Sequence, residues 1–258
     1  MMKSLWNSFK IAFAMFSKIP MPQADWSEEN MRYMLCFFPF VGAAVGVVML
    51  GMEWLCCYFG MSNGFIAVAL VLVPVIVTGG IHVDGLLDTS DALSSWRDRE
   101  KRLEILKDSH AGAFAIITAC VYFILWLGAW RQLLGDHDGI CIMSIGFMMS
   151  RCLSGIGVII FPKARTDGTV AEFSRNASEI VARNVLAMMF AALAVLMIWI
   201  NPVRGVLAAG TALLVFWWYH HMAMKYFGGT TGDLSGFFLC ICEVVMALVL
   251  GVSGIVVL

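Results

Sequence analysis

The chain has 258 residues, 60% of them hydrophobic and only 14% charged, with a formal net charge of −1. A soluble domain is about half apolar and a quarter charged, so this composition excludes a water-soluble globular protein; the net charge itself says little about partners, among which small-molecule substrates and the lipid bilayer are expected and nucleic acid is not. The fold class that remains is all-α, a polytopic transmembrane helix bundle forming one integral-membrane domain over residues 1–258.

The chain opens with Leu5, Trp6, Phe9, Phe13 and Phe16 interleaved with Lys3, Lys10 and Lys18, and no small-residue cleavage pattern follows. This predicts an N-terminal interfacial helix rather than a signal peptide. Seven apolar stretches then reach the roughly 17–25 residues that cross hydrocarbon: 36–58, 64–81, 111–130, 139–162, 184–200, 203–221 and 235–258. Only Asn201 and Pro202 divide the fifth from the sixth, which predicts a tight helical hairpin. Of the 17 basic residues, Arg131 and Arg204 fall on one predicted side, Arg151 lies inside the fourth span, and the rest share the other side. The positive-inside rule therefore predicts a cytoplasmic N-terminus, an external C-terminus and an odd number of spans. The eight cysteines are embedded in apolar runs and read as small hydrophobes; Cys240 and Cys242 lack the spacing of a zinc site.

The polar segments between these spans carry the chemistry. Gly79-Gly80-Ile81-His82-Val83-Asp84-Gly85-Leu86-Leu87-Asp88-Thr89-Ser90-Asp91 follows the second span directly. On a helix, Asp84, Asp88 and Asp91 project from one face. Three like charges on one stripe repel one another, and an oxygen-seeking cation such as Mg2+ offsets that repulsion. Ser95 and Asp98 are placed to cap a second, charged helix through Glu100, Leu103, Ile105 and Leu106. Next comes Lys107-Asp108-Ser109-His110-Ala111-Gly112, read either as the cap of the third span, through Asp108 or Ser109, or as a phosphate grip with Asp108 as a further metal ligand. His82 and His110 are the histidines placed to accept protons.

Arg151, alone in an apolar run, needs a partner; pairing with the acidic helix and contact with a substrate phosphate are both open. Lys163 and Arg165 follow span four, where Arg165 suits bidentate phosphate recognition. Before span seven, the Gly228 to Gly232 turn with Thr231 and Asp233 either starts the helix or makes an anion site at its N-terminus. Glu53 and Glu243, both within spans, have no assigned role. On the predicted topology all of these loops face the cytoplasm, which points to one active site there.

These residues resemble the cobalamin synthase family, the adenosylcobinamide-GDP ribazoletransferases. The 79–93 segment is similar to the family's Gly-Gly-x-His-x-Asp-Gly-x-x-Asp-x-x-Asp signature and Lys107-Asp108-Ser109 to its Lys-Asp-Ser motif. Pro39-Phe40-Val41-Gly42 and Thr231-Gly232-Asp233 fall where the family has similar pieces, and the resemblance runs from Phe16 onward. His110 departs from it, since many members carry arginine there. The resemblance implies that a hydroxyl of α-ribazole, or of its 5′-phosphate, attacks the phosphate attached to adenosylcobinamide and releases GMP, with Mg2+ required, in the bacterial cytoplasmic membrane. It implies metal binding by Asp84, Asp88 and Asp91, with Asp108 as a further ligand. One carboxylate or His82 takes the proton, and Lys107, Arg151 and Arg165 neutralise phosphates, with Ser109, His110, Thr231 and Asp233 as further substrate contacts. The rival readings are a Mg2+-dependent CDP-alcohol phosphotransferase or prenyltransferase, and a cation-coupled transporter.

Overall fold

The computed structural model describes residues 2–108, 110–165 and 178–256. Ser109 and the Thr166-Asp167-Gly168 part of the loop after span four lie outside the described residues. Eleven helices run in order among them: α1 (Met2–Phe16), α2 (Glu28–Met31), α3 (Met34–Tyr58), α4 (Asn63–Thr78), α5 (Ile81–Ser94), α6 (Arg99–Ile105), α7 (Ala113–Leu133), α8 (His137–Ile160), α9 (Glu179–Ile200), α10 (Pro202–Phe227) and α11 (Gly232–Val256).

The boundaries follow local chemistry. Ser62 accepts from the amide of Phe65 to start α4, Asp98 from Lys101 to start α6, and Asp136 from Gly139 to start α8. Asn201 ends α9 and accepts from the Arg204 amide to start α10, with Pro202 in the first turn. The predicted hairpin is therefore present, and Pro202 sits where a missing amide costs nothing.

The most enclosed span is α8, wedged between α3 and α11. Small residues let α3 approach it: a Cβ on Gly42 would fall 2.2 Å from the carbonyl oxygen of Phe147, and one on Gly46 2.5 Å from that of Ser144. This four-residue glycine spacing brings backbones together where lipid offers no hydrophobic drive between helices. Trp126, Trp130, Phe147, Phe227 and Phe238 are fully buried in the resulting core, while Trp54, Ile76, Ile124, Trp199 and Leu214 face outward, as lipid requires. α1 is amphipathic as predicted, and it docks on the bundle: Ile11, Ala12 and Phe13 are buried, the first two against Leu35, Val158 and Leu186, and Lys10 Nζ donates to the Gln23 carbonyl at 2.7 Å.

Of the seven expected spans, the helices account for five or six by length and apolarity. Five helices are long and apolar enough to cross a membrane, α3, α7, α8, α9 and α11, or six if the bent pair α4 and α5 counts as one broken span. The predicted 64–81 span stops at Thr78, where the chain turns by 93°. α10 is 26 residues long but is not among the five, because Trp217, Trp218, Tyr219, His220, His221 and Lys225 dilute its apolar run.

Candidate active site

Gly79 and Gly80 both take left-handed backbone, φ +68° and +80°, a pair of conformations that only glycine adopts without strain. This double turn sends α5 sideways. With 14 residues, roughly 21 Å at 1.5 Å per residue, α5 is too short to cross hydrocarbon alone and lies instead along the first turns of α11 and α7. Its approach to α11 is backbone-close: a Cβ on Gly85 would stand 2.6 Å from the Asp233 carbonyl oxygen, and one on Gly236 3.1 Å from that of His82. Its link to α7 is Asp91, whose carboxylate accepts from the amides of Gly112 at 2.5 Å and Ala115 at 2.9 Å. Asp91, on another helix, thus caps the third span, whereas Asp108, one of the two cap candidates from sequence, accepts instead from His110; Ser109, the other, lies outside the described residues.

The double turn gathers acids. Asp84 is exposed, while Asp88 and Asp233 are half-buried. Burial, together with the charges of Asp84, Asp233 and Asp91, pushes the Asp88 carboxyl up to about 6. Asp233, assigned from sequence to an anion turn, therefore belongs to the acid cluster. Among the described residues no group of three or more His, Cys, Asp or Glu closes around one point, so the acids are assembled without forming a finished cage.

A cation stands beside them. Arg165 acts electrostatically on Asp233, and its Nη2 is buried with no hydrogen-bond partner among the described residues. Its loop is tied to the turn before α11, where Ala164 N donates to Thr230 O at 3.0 Å and Thr230 N to Pro162 O at 2.8 Å. Thr231 is buried there and caps α11, its Oγ1 accepting from the Leu234 amide at 3.2 Å. The polar segments 82–95, 110–115, 161–165 and 228–236 therefore do gather at one end of the bundle.

Asp108 and His110 sit at that end but bind each other, with Nδ1 2.7 Å from Oδ1, and His110's hydrogen bonds hold the exposed Asp108 carboxyl below its usual range. No described contact carries either residue to Asp84 or Asp88. Lys107 is exposed on the same turn.

Arg151 is the largest departure from the sequence reading. It is fully buried and donates to Glu243 Oε1 at 2.7 Å and to the Phe147 carbonyl at 2.8 Å, while Ser150 Oγ adds 2.8 Å to the same Glu243 oxygen. Its partner is neither the acidic helix nor a position open to substrate. The signal was present: two lone, opposite charges in apolar spans satisfy each other more cheaply than either does alone.

Two cavities meet at Asp84. One, of about 430 Å³, lies among α1, α3, α5, α8 and α11 and includes His82, Ser154 and Asp233 on its walls. The other, of about 520 Å³, is bounded by Lys18, Thr78, Gly79, Gly80 and Asp84. Lys18 lies with its stem over Gly79, where a Cβ would meet Lys18 Cε at 2.4 Å. From sequence Lys18 belongs to the lysines of the N-terminal interfacial helix and to the positive-inside balance; the fold sets it on the same cavity as Asp84.

Residues 8–251 match the family described as cobalamin-5-phosphate synthase. Among curated proteins, the chain is 41% identical over 242 residues to the adenosylcobinamide-GDP ribazoletransferase of Lachnoclostridium phytofermentans, covering 94% of this chain and 92% of that one. It is 30% identical to the ribazoletransferase of Geobacillus thermodenitrificans, covering 91% of each. The corresponding Clostridium botulinum Alaska E43 protein is 29% identical, over 95% of this chain and 96% of the other. No solved structure matches.

Proposed function

The chain belongs to the cobalamin-5-phosphate synthase family, and from that premise we propose that it is an adenosylcobinamide-GDP ribazoletransferase. A hydroxyl of α-ribazole, or of its 5′-phosphate, attacks the cobinamide-bound phosphorus of adenosylcobinamide-GDP. A new P–O bond forms to the ribose oxygen, the P–O bond to GMP breaks with its electron pair leaving on GMP, and the hydroxyl proton passes to a carboxylate of the cluster. Neither the phosphotransferase nor the transporter reading explains a family match spanning nearly the whole chain.

The observation that carries the reading at the site is the crowding of Asp84, Asp88 and Asp233. Carboxylate oxygens are hard donors, and Mg2+ is held by one or two carboxylates plus substrate phosphates rather than by an all-protein cage. An assembled but unclosed acid cluster fits that chemistry. We assign Asp84, Asp88 and Asp233 to hold the ion, which when bound supplies charge neutralisation across the diphosphate. Asp91, with both oxygens on the start of α7, positions α5, and Asp108, paired with His110, is set apart from the ion. Arg165 and Lys18 are placed to receive phosphate oxygens, with Lys107 at the neighbouring turn. Catalysis here is positioning and electrostatics: glycine-close packing fixes α5 against α11, so the acids do not spread when the substrate's negative charge arrives. The site end faces the cytoplasm of the bacterial inner membrane on the positive-inside balance.

The test is GMP release from adenosylcobinamide-GDP and α-ribazole by the purified full chain, with Mg2+ and after its removal by chelation. Release that is lost on chelation and restored by Mg2+ supports the reading. Release untouched by chelation removes the ion from it, and absence of release under all conditions removes the reaction.

A further inference from the structure

The loop that carries Arg165 and the turn that carries Asp233 are held against each other at Thr230. Its amide donates to the Pro162 carbonyl at 2.8 Å and its own carbonyl accepts from the Ala164 amide at 3.0 Å, a short parallel bridge between the two segments. The backbones are in close approach there, since a Cβ on Gly229 would stand 2.4 Å from the Pro162 carbonyl oxygen. The Thr230 side chain enters a second set of bonds. Its Oγ1 lies 2.5 Å from the Tyr219 hydroxyl, 3.3 Å from the Thr231 carbonyl and 3.4 Å from Ser235 Oγ, and Ser235 Oγ donates to the same Thr231 carbonyl at 2.9 Å. All four residues are buried. A single direction of donation satisfies every hydroxyl: Ser235 donates to the Thr231 carbonyl, Thr230 to that carbonyl or to Ser235, and Tyr219 to Thr230. Packing fixes the first donor, because the Tyr219 ring centre is 5.0 Å from that of Phe238 and 5.6 Å from that of Phe161.

Building on the ribazole-transfer reading, we propose that Tyr219 is a positioning residue: by holding Thr230 it sets the separation between Asp233, which serves the ion, and Arg165, which serves phosphate. Tyr219 touches neither group. Its hold on Thr230 reaches Asp233 through Thr231, whose Oγ1 caps α11 and lies 3.5 Å from Asp233 Oδ2. It reaches Arg165 through Ala164, which is bonded to the Thr230 carbonyl and precedes Arg165 in the chain. The separation matters because the two groups attract each other. No ion pair joins them among the described residues. If the two segments could slide, Asp233 and Arg165 would close on one another as Arg151 and Glu243 have done, and neither charge would remain for the ion or the phosphate. A rigid bridge with a buried hydroxyl chain behind it keeps the opposite charges apart and available, which is the preorganisation that electrostatic catalysis requires.

Tyr219→Phe removes one hydroxyl and keeps the ring and its packing. Hydrogen exchange of the full chain in nanodiscs should then quicken in 161–165 and 229–235 together, with α3 unchanged. In GMP-release assays kcat should fall on the order of tenfold, a part of the hundredfold that a 1 Å misplacement costs. The Mg2+ concentration for half-maximal rate should rise, while the KM for α-ribazole stays within about twofold, as expected when positioning rather than acceptor binding is lost. Thr230→Val should reproduce these changes, and Thr230→Ser, which restores the hydroxyl, should recover most of the rate. In an Arg165→Gln background Tyr219→Phe should cost clearly less than in the wild type, because coupled residues are not additive. A lower unfolding temperature with kcat and Mg2+ requirement unchanged overturns the proposal. So does a Thr230→Ser variant as slow as Thr230→Val, or a Tyr219→Phe penalty of the same size with and without Arg165. A wild type that releases no GMP sinks the transfer reading instead, and the spacing is then read from Mn2+ binding by electron paramagnetic resonance: weaker binding in Tyr219→Phe than in the wild type upholds the positioning role, and equal binding overturns it.

Discussion

Two charged regions lie within this apolar bundle, and they are built on opposite principles. Inside it, Arg151 and Glu243 face one another at 2.7 Å with Ser150 and the Phe147 carbonyl completing the set. At its end, Asp84, Asp88 and Asp233 crowd together, with Arg165 as a neighbouring cation. The first region balances its own charge, although Arg151 Nε and Nη2 stay buried without a hydrogen-bond partner among the described residues. The second leaves an excess of negative charge that an external cation and a substrate must complete. In a membrane protein an ionisable residue is a functional candidate by default; here what separates a structural charge from a functional one is whether the fold has already supplied its partner.

Breaking the interior pair should give the largest effect, and on folding. Arg151→Met leaves the Glu243 carboxylate buried without its partner, and the expected loss is about 3–5 kcal/mol, read as a lower unfolding temperature in detergent. Replacing both residues with apolar ones of similar volume should recover most of it; if the double variant is as unstable as the single, the pair does more than cancel charge. The cluster should behave in reverse. Asp84→Asn is expected to leave the unfolding temperature unchanged and cut transfer about a hundred- to a thousandfold, or roughly 2.7–4 kcal/mol of transition-state stabilisation. Activity retained there would erase the distinction between the regions.

Gly85→Ala sharpens the comparison without touching a charge. Its Cβ would lie 2.6 Å from the Asp233 backbone oxygen, so α5 must move from α11 and the acids separate; a displacement near 1 Å is expected to lower kcat about a hundredfold. An unaffected kcat would show that the spacing of Asp84 and Asp233 is unimportant. The smallest effect belongs to Asp91→Asn, which keeps the shape but weakens the cap on α7. A loss of about 1 kcal/mol in stability with a modest fall in kcat and an unchanged Mg2+ requirement is expected. A large rise in the Mg2+ concentration needed would instead return Asp91 to the ion.

The composition and spacing of the chain determine that it is helical and apolar, that Asp84 and Asp88 share a helix face, and that Asn201-Pro202 makes a hairpin, because each depends on neighbours within one or two turns. The 79–93 motif even suggests the chemistry, since three acids on one stripe require a counter-charge wherever they sit. What only the tertiary structure decided are relations between distant segments. Asp91 caps a helix 21 residues downstream, Arg151 pairs with Glu243 rather than with a phosphate, Asp233 joins the acids, and Lys18 and His82 open onto the two cavities that meet at Asp84. The 64–81 stretch shows the same limit: length and apolarity are local, whereas the 93° turn at Gly79 and Gly80 makes that stretch end at Thr78 and aims the following helix across the bundle. Charge partners and cavity walls are set by packing in three dimensions, and a one-dimensional pattern shows which residues need a partner without showing which partner the fold supplies.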